Sequence, residues 1–357
     1  MPAALPSLPP PRESHLLLPV PPAGMPLEAI PAWAAQQRAH AGDIVCVVKA
    51  HTGDGGPLHW LDSHHARGWI QGPAAMAAPD RTTLAAHVQE ALAQGFVGAD
   101  AVLLAFLRVG GELPRLSWGE APVFASARTH TTQRLDLYAI TDDLQRLRQA
   151  LAAGVRTVQL RIKRPAQPDA AWQAGLREAL AGGITASRAV GAQCFINDHW
   201  ALAAELGADA VHLGQEDLMA LGDAGRQGLL ASGVALGISS HSVWELCRAR
   251  ALSPRYIACG PVWPTTTKDM PWVPQGLDNL GWWCRHAGAP VVAIGGILAP
   301  EQARQAARAG ADGICLVRAL GNDPAQVLPA YEQALAQGRG DTPLAAPAWP
   351  HPTLPVG

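Results

Sequence analysis

The C-terminal two thirds of the chain alternate between short apolar runs and alanine-rich helical segments, and this alternation constrains the fold more than any other feature. Strands that alternate with helices in this way pair in parallel, and eight of them close into a (β/α)8 barrel. The predicted strands are Leu137–Ile140, Thr157–Arg161, Cys194–Asn197, Ala210–His212, Val234–Ile238, Tyr256–Cys259, Val291–Ile294 and Gly313–Val317.

Helical periodicity follows most of these strands. A doubly wound open sheet shares the alternation and is the alternative fold. Its usual support is a Gly-x-Gly-x-x-Gly turn after the first strand, and the sequence has no such turn there. We therefore predict an α/β fold with a TIM barrel over residues 135–338. The predicted helices are Leu144–Ala152, Trp172–Ala189, Trp200–Leu206, His241–Arg250, Leu277–His286, Pro300–Ala309 and Pro324–Gln337.

Composition divides the rest of the chain into four parts. Residues 1–27 are rich in proline, which favours irregular extended backbone. Residues 28–109 contain helical patterns and the apolar run Ile44–Lys49, and they predict a smaller α/β region. Residues 110–134 are polar and interrupted by glycine, as in a linker, and residues 339–357 resemble a loose tail.

Charge and hydropathy exclude several classes of partner. The formal net charge is −2, which gives no basic excess for nucleic acid or an anionic membrane surface. No segment approaches the ~20 apolar residues of a membrane span, and the N-terminus lacks the basic start of a secretory signal. We expect a soluble cytoplasmic protein without nucleic-acid or membrane partners, and the sequence leaves open whether it forms a homo-oligomer.

The strand ends carry the candidate chemistry, because TIM-barrel sites lie at the C-terminal ends of the strands. In the second strand, Gln159, Arg161 and Lys163 share one face, since side chains alternate along a strand. That row cannot lie under apolar helices without a large cost, so we predict that it faces the barrel mouth. Two cations there suit a diphosphate, and a row of surface salt bridges is the alternative.

Two aspartates follow neighbouring strands. Asp198 comes directly after the third strand and Asp217 follows the fourth. Mg²⁺ prefers a few carboxylate oxygens together with phosphate and water, so the pair predicts a magnesium site completed by a phosphorylated ligand. Capping of helix N-termini is the alternative role. His212 lies inside an apolar strand, and we expect a hydrogen-bonded core residue there rather than a ligand.

The later strand ends carry groups that bind anions without a metal. Ser239 or Ser240 offers a hydroxyl group after the fifth strand, and helix capping is the alternative role of Ser240. The segment Pro264–Lys268 combines three threonines with a lysine and predicts an anion-binding loop. Gly295 and Gly296 allow backbone N–H groups to approach a phosphate, and a short helix near Arg318 adds its positive end. The mouth is thus predicted to hold a metal–diphosphate site and a separate monophosphate site.

Together, these motifs resemble the thiamine-phosphate synthase family over the whole predicted barrel. The resemblance implies a transferase that condenses 4-amino-2-methyl-5-pyrimidinylmethyl diphosphate with 4-methyl-5-(2-phosphoethyl)thiazole and releases diphosphate. The matching runs are Gln159-x-Arg161-x-Lys163, Ile196-Asn197-Asp198, the run from His212 to Asp217, Gly237-Ile238-Ser239, Gly260-Pro261, Pro264–Lys268, the run from Pro274 to Leu277, and the run from Ala293 to Ile297.

The resemblance also implies a role for each matched residue. Asp198 and Asp217 are expected to bind the cofactor Mg²⁺, and Arg161, Lys163 and Lys268 are expected to be catalytic through the leaving diphosphate. The pyrimidine diphosphate is expected on Gln159, Arg161, Lys163, Asn197, Ser239 and Lys268, and the thiazole phosphate on Thr265, Thr267, Gly295, Gly296 and the backbone of Val317 and Arg318.

Two positions depart from the family pattern. Ile162 replaces an acidic residue, but its side chain alternates away from the site, and Arg318 replaces a small residue at a backbone contact. A barrel resembling thiazole tautomerase and a non-catalytic sensor of phosphorylated ligands are the rival functions. A tautomerase needs no diphosphate site, so the complete set of Arg161, Lys163, Asp198 and Asp217 favours the synthase.

Residues 28–109 resemble the C-terminal part of a hydroxymethylpyrimidine-phosphate kinase of ribokinase type. The resemblance rests on Ile44–Lys49, on Trp60-Leu61 and on a helix near Thr83–Ala93. Such a kinase needs a glycine-rich anion hole before that helix, and the run from Ala78 to Thr83 contains neither glycine nor cysteine. We therefore predict a non-catalytic remnant that acts as a scaffold or an interface.

Overall fold

The N-terminal region is built on a five-stranded sheet with the strand order β1-β2-β3-β4-β5. The computed structural model describes residues 13–53, 56–73, 80–265 and 271–354. β1 pairs in parallel with β2, and the other neighbours pair antiparallel. The elements are β1 (Leu16–Leu17), α1 (Ile30–Ala41), β2 (Ile44–Gly53), β3 (Gly56–Asp62), β4 (Arg67–Gln71), α2 (Arg81–Ala93), α3 (Gly98–Gly110) and β5 (Arg115–Leu116).

The sheet is larger than predicted. β1 lies in the segment predicted to be irregular, and β5 lies in the predicted linker 110–134. β3 and β4 were predicted as loop, apart from the Trp60-Leu61 motif. Both are short and place glycine, histidine or arginine beside buried tryptophans, so neither shows a clear alternation of apolar and polar residues.

The predicted barrel is confirmed. Eight parallel strands pair in chain order and close where the last strand pairs with the first, with Ile314 opposite Leu137. The open doubly wound sheet is therefore excluded. The barrel strands are β6 (Asp136–Thr141), β7 (Thr157–Leu160), β8 (Gln193–Asn197), β9 (Ala210–Leu213), β10 (Ala235–Ser240), β11 (Tyr256–Cys259), β12 (Val291–Ala293) and β13 (Gly313–Leu316).

The helices that surround the barrel include all seven that were predicted. Two more, α7 and α8, follow β9, where Gly222, Gly225 and Gly228 weaken the helical signal in the sequence. The helices are α4 (Leu144–Ala152), α5 (Ala170–Ala189), α6 (Trp200–Glu205), α7 (Gln215–Ala220), α8 (Gly222–Ala231), α9 (Val243–Ala251), α10 (Gly276–His286), α11 (Pro300–Arg308) and α12 (Pro324–Gly340).

Aromatic side chains fill the inside of the barrel. The ring centroids of Phe195 and Tyr256 lie 5.0 Å apart, and Tyr138 lies 5.6 Å from each of them. All three rings are buried. They belong to an interior cluster that is separate from the larger core between the strands and the helices, so the barrel has a packed floor beneath its mouth.

The N-terminal region packs on α9, which is buried along almost its whole length. The indole Nε1 of Trp118 donates to the carbonyl oxygen of Arg248 at 2.8 Å. At the other end of the helix, the backbone N–H of Trp244 donates to Oδ1 of Asp100 at 2.8 Å. Residues from both parts share one hydrophobic core, so a barrel helix that would otherwise face solvent is covered.

The C-terminal segment also packs against the rest of the molecule, unlike the loose tail that was predicted. The backbone N–H of His351 donates to Oδ1 of Asn279 on α10 at 2.7 Å. Trp349 lies against Phe96, and the guanidinium of Arg108 lies 4.5 Å from the ring centroid of Trp349. The segment therefore contacts both the barrel and the N-terminal region. Among the described helices, none is both long and apolar enough to cross a bilayer.

Candidate active site

A cavity of about 330 Å³ opens at the carboxyl ends of the barrel strands. Every predicted site residue that the structure describes lines this cavity. Two predicted residues, Thr267 and Lys268, lie outside the described residues. The predicted residues in the cavity wall are Gln159, Arg161, Lys163, Asn197, Asp198, Asp217, Ser239, Thr265, Gly295, Gly296, Val317 and Arg318.

The basic row rises from the barrel floor to the rim. Gln159 is buried at the floor, Arg161 is partly exposed and Lys163 is exposed. Ile162 points the other way and packs against the core, as the alternation predicted. Its carbonyl oxygen accepts from Nε2 of His199 at 2.9 Å. The residues at the end of β7 therefore place one cation deeper in the cavity and one at its rim, which suits an extended anion such as a diphosphate.

The two aspartates reach the same side of the mouth by different backbone routes. Asp198 has a left-handed backbone with a φ of 62°, and α6 begins after His199 without a side-chain cap, so Asp198 is not that helix's cap. Asp217 sits in the first turn of α7, and its Oδ2 accepts from the backbone N–H of Gly214 at 3.1 Å. The helix-capping alternative thus applies to Asp217 but not to Asp198.

The two carboxyl groups influence each other. Burial and the neighbouring charge of Asp198 raise the pKa of Asp217, whereas Lys163 lowers it. Nζ of Lys163 lies 3.4 Å from Oδ2 of Asp198. Two neighbouring carboxylates repel each other, and the one exposed ammonium of Lys163 offsets only part of that repulsion. A further positive charge between the carboxylates would therefore be stabilised.

These groups fit a hard divalent cation. The donor set is two carboxylates at an open cavity, and Mg²⁺ keeps water and phosphate oxygens as its remaining ligands. Within the described ranges, no group of three or more histidine, cysteine, aspartate or glutamate side chains is placed to hold a metal ion, so phosphate and water would have to complete the site. Asn197 places a buried amide N–H group without a hydrogen-bond partner among the described residues next to the same carboxylates, and this donor suits a ligand oxygen rather than the cation.

A chain of hydrogen bonds runs along the floor of the cavity, and sequence reasoning missed its two tyrosines. Tyr256 joins Tyr138 at 2.8 Å and Nδ1 of His212 at 2.7 Å. Nε2 of His212 lies 3.0 Å from Oγ of Ser239. Burial lowers the pKa of His212 to about 4, so the ring is neutral at physiological pH. His212 is thus hydrogen-bonded at both ring nitrogens, but it is half-buried and lines the cavity rather than lying in the core that was predicted.

The glycine pair brings two loops together. Gly295 and Gly296 have φ angles of 93° and 73°. A Cβ atom on Gly296 would lie 2.6 Å from Cβ of Trp263, and one on Gly295 would lie 2.6 Å from Pro261. Only glycine combines this backbone with this close approach. Neither glycine N–H donates to another described residue, so both can meet a ligand oxygen.

The rim also contains three side chains that were not predicted as site residues. Nδ1 of His241 lies 2.8 Å from Oε2 of Glu245, and the His241 ring stacks on Trp272 with centroids 5.4 Å apart. All three line the cavity. The spacing of four residues between His241 and Glu245 in the predicted helix His241–Arg250 was a usable signal for this pair, although α9 itself begins at Val243.

The fold and the position of the cavity define the class of protein. A closed parallel barrel with a polar cavity at the carboxyl ends of its strands has the site position that TIM-barrel enzymes share. The chain belongs to the thiamine monophosphate synthase family, which matches residues 132–320, more than half of the sequence. The N-terminal region lies outside this match, and its resemblance to a kinase stays a prediction.

Two sequence relatives agree with this assignment. A thiamine-phosphate synthase of Rhizobium etli is 42% identical over 193 residues, or 54% of this chain and 90% of that protein. A thiamine-phosphate synthase of Neisseria meningitidis serogroup A is 42% identical over 207 residues, or 57% of this chain and 96% of that protein. A solved thiamine phosphate pyrophosphorylase from Pyrococcus furiosus aligns with a TM-score of 0.49 and 27% identity, covering 57% of this chain and 96% of that one.

Proposed function

We propose that this chain is a thiamine-phosphate synthase that joins 4-amino-2-methyl-5-pyrimidinylmethyl diphosphate to 4-methyl-5-(2-phosphoethyl)thiazole with Mg²⁺. The observation that carries the proposal is the shared cavity. Carboxylates and cations occupy one side of it, and the other side has glycine N–H groups that donate to no other residue in the described part of the chain. Family membership and the synthase relatives support the same reaction.

In this proposal, the acidic and basic side of the cavity activates the leaving group. Asp198 and Asp217 would hold Mg²⁺, which would supply positive charge at the leaving diphosphate. Arg161 and Lys163 donate hydrogen bonds to its oxygens, and Lys268 is expected to add a third cation. The bond between the methylene carbon and the diphosphate oxygen breaks, and its electron pair leaves with the diphosphate. The electron-rich aminopyrimidine ring spreads the positive charge that remains.

The other side of the cavity positions the nucleophile. The N–H groups of Gly295 and Gly296 and the hydroxyl groups of Thr265 and Thr267 hold the thiazole phosphate. The anchored thiazole then directs the lone pair of its ring nitrogen to the methylene carbon, and a carbon–nitrogen bond forms. Holding both reactants in one cavity removes most of the entropic barrier to this step. The aromatic floor excludes water from below.

The direct test supplies the purified full-length chain with both substrates and Mg²⁺. We expect diphosphate and thiamine phosphate to appear in equal amounts, and no diphosphate when the thiazole phosphate is omitted. Arg161→Ala should lower turnover at least about a hundred-fold, as for loss of one donor to a developing anion. Arg164→Ala is the matched control, because Arg164 is exposed and outside the cavity wall. Binding of both substrates without release of diphosphate would instead support a sensor.

We further propose that the protein works in the cytoplasm and that its N-terminal region is a non-catalytic scaffold. Six free cysteines, five of them buried, suit a reducing compartment. The packing of the N-terminal region on α9 suits a scaffold. Phosphorylation of hydroxymethylpyrimidine phosphate by the purified chain with ATP would contradict the scaffold assignment.

A further inference from the structure

Five side chains form one continuous hydrogen-bond chain across the inside of the barrel. Nε2 of Gln159 donates to the hydroxyl of Tyr138 at 3.0 Å, and Tyr138 joins Tyr256 at 2.8 Å. Tyr256 meets Nδ1 of His212 at 2.7 Å, and Nε2 of His212 meets Oγ of Ser239 at 3.0 Å. Five different strands or strand ends contribute, and both terminal residues line the cavity.

The direction of the hydrogen bonds follows from counting hydrogens. The amide nitrogen of Gln159 can only donate, and each tyrosine hydroxyl carries a single hydrogen. Both tyrosines are fully buried, so water cannot accept a stray hydroxyl hydrogen. An unused buried donor is costly, and buried polar groups in folded proteins are therefore almost always paired.

With the amide nitrogen of Gln159 turned toward Tyr138, only one direction uses every hydrogen. Tyr138 accepts from Gln159 and donates to Tyr256, and Tyr256 donates to Nδ1 of His212. Nε2–H of His212 then donates to Ser239. If Nδ1 carried the hydrogen instead, Tyr256 would have to accept from it, and one phenolic hydrogen would have no acceptor among the described residues. A protonated imidazole fails for the same reason.

We infer that Tyr138, Tyr256 and His212 are positioning residues that set how Gln159 and Ser239 meet the ligand. Because the amide nitrogen of Gln159 is turned toward Tyr138, its Oε1 lies on the other side of the amide and is left to accept from the ligand. Because Ser239 accepts from His212, its own hydrogen is left to donate. This inference rests on the proposed function: an aminopyrimidine diphosphate offers an amino donor for Gln159 and an oxygen acceptor for Ser239.

The first test measures the tautomer of His212, which needs no activity. The ring nitrogens of ¹⁵N-histidine-labelled protein are observed by NMR, and the His212 signal is assigned by its loss in His212→Gln. We expect the hydrogen on Nε2 in the wild type. Tyr256→Phe removes the donor to Nδ1, so we expect a mixture of both tautomers in that variant. A hydrogen on Nδ1, or a doubly protonated ring, in the wild type would refute the inference.

The second test measures the two substrates separately. In Tyr256→Phe, His212 can move its hydrogen to Nδ1, and Ser239 can then donate to Nε2 of His212 instead of to the ligand. We therefore expect kcat/KM for the pyrimidine diphosphate to fall about ten-fold. The KM for the thiazole phosphate should stay within about two-fold. Tyr331→Phe is the matched control, because Tyr331 is buried on α12 outside the barrel interior. Equal loss for both substrates would indicate a merely structural role and overturn the inference.

A double-mutant cycle separates the chain from general destabilisation. If Tyr256 acts through Ser239, Tyr256→Phe should cost little further in kcat/KM on a Ser239→Ala background. Full additivity of the two losses would contradict the inference. Absence of synthase activity together with the Nε2–H tautomer in the wild type would refute the proposed function and retain the hydrogen-bond direction, so the two failures are distinguishable.

Discussion

At the scale of single residues, the backbone of Asp198 matters as much as its carboxylate. Its left-handed conformation turns the chain at the end of β8, and its N–H donates to the carbonyl oxygen of His212 at 3.1 Å. Asparagine and aspartate tolerate this conformation better than other non-glycine residues. Asp198→Asn is therefore the substitution that removes the charge and keeps the backbone.

We expect Asp198→Asn to lower the pKa of Asp217 toward the ordinary value for a carboxyl group. The substitution removes the repulsion from the Asp198 charge, and burial then remains as the main cause that raises this pKa. Mg²⁺ affinity should nevertheless fall at least about ten-fold, the lower end for loss of an outer partner of a metal ligand. Carboxyl ¹³C NMR titration measures the pKa of Asp217, and calorimetry with Mg²⁺ and diphosphate measures the affinity.

The sign of the pH dependence follows from the raised pKa. In the wild type, Asp217 becomes protonated as the pH falls through that raised value, so Mg²⁺ affinity should be lost at a higher pH than for an ordinary aspartate. Asp209→Asn is the control, because Asp209 pairs with Arg188 on the surface. Unchanged Mg²⁺ affinity in Asp198→Asn would remove Asp198 from the metal site.

At the scale of elements, α9 shows how a second part of the chain supports a barrel helix. Asp100 accepts the N–H of Trp244 in the first turn of α9, where Ser242 also caps the helix. Burial raises the pKa of Asp100 well above its ordinary range, and the charge of Glu245 adds to the effect. A neutral acceptor at position 100 therefore suits the buried helix start better than a charge does.

We expect the free energy of unfolding of the wild type to fall relative to that of Asp100→Asn as the pH rises from about 4. A carboxyl group with a raised folded-state pKa stabilises the fold below its unfolded pKa and loses that contribution as the pH rises through the folded value. Asparagine keeps an acceptor for Trp244 without this loss. Denaturant unfolding of both proteins between pH 4 and 8 measures the difference.

Two further variants serve as controls for the prediction on Asp100. Asp100→Ala removes the acceptor altogether and should cost about 1–3 kcal/mol at every pH. Asp143→Asn changes an exposed cap of α4 and should alter the free energy of unfolding by about 0.5 kcal/mol or less. A difference between the wild type and Asp100→Asn that is independent of pH would show that Asp100 carries no pH-dependent cost.

The elements that could be predicted from sequence are those with a local pattern. Each barrel strand is a short apolar run bounded by polar residues, so all eight were found within about two residues, the usual uncertainty at element ends. β1 and β5 have two residues each and exist only because they pair with β2 and β4. Pairing across many residues leaves no periodicity in the chain, so such strands cannot be predicted from a local pattern.

The residues of the candidate site likewise fall into those that a sequence pattern could predict and those that it could not. Residues at strand ends were predicted because a barrel brings all strand ends to one mouth, whatever lies between them. Tyr138 and Tyr256 were missed because they lie within strands and resemble ordinary core residues. Trp272 was missed because its position depends on contacts with His241 and Trp244, which the chain order does not reveal.

At the scale of the whole molecule, the barrel, the N-terminal region and the C-terminal segment are held together by buried contacts. Arg250 on α9 donates to the carbonyl oxygen of Leu113 at 2.8 Å, and Trp349 lies against Phe96. Trp118 is a buried tryptophan in this contact, and the guanidinium of Arg248 lies 5.6 Å from its ring centroid. A shared core of this kind predicts one cooperative unfolding transition.

We expect the N-terminal sheet and the barrel to unfold together in the wild type and separately in Trp118→Ala. Loss of a buried tryptophan costs about 3–5 kcal/mol, and here the loss falls on the contact between the two parts. Hydrogen–deuterium exchange in rising denaturant, followed on peptides from β2–β3 and from β8–β9, measures both transitions. Trp172→Ala is the control, because Trp172 lies on α5 against His199 on the barrel side. If β2–β3 and β8–β9 still exchange together in Trp118→Ala, the contact at Trp118 does not couple the two parts.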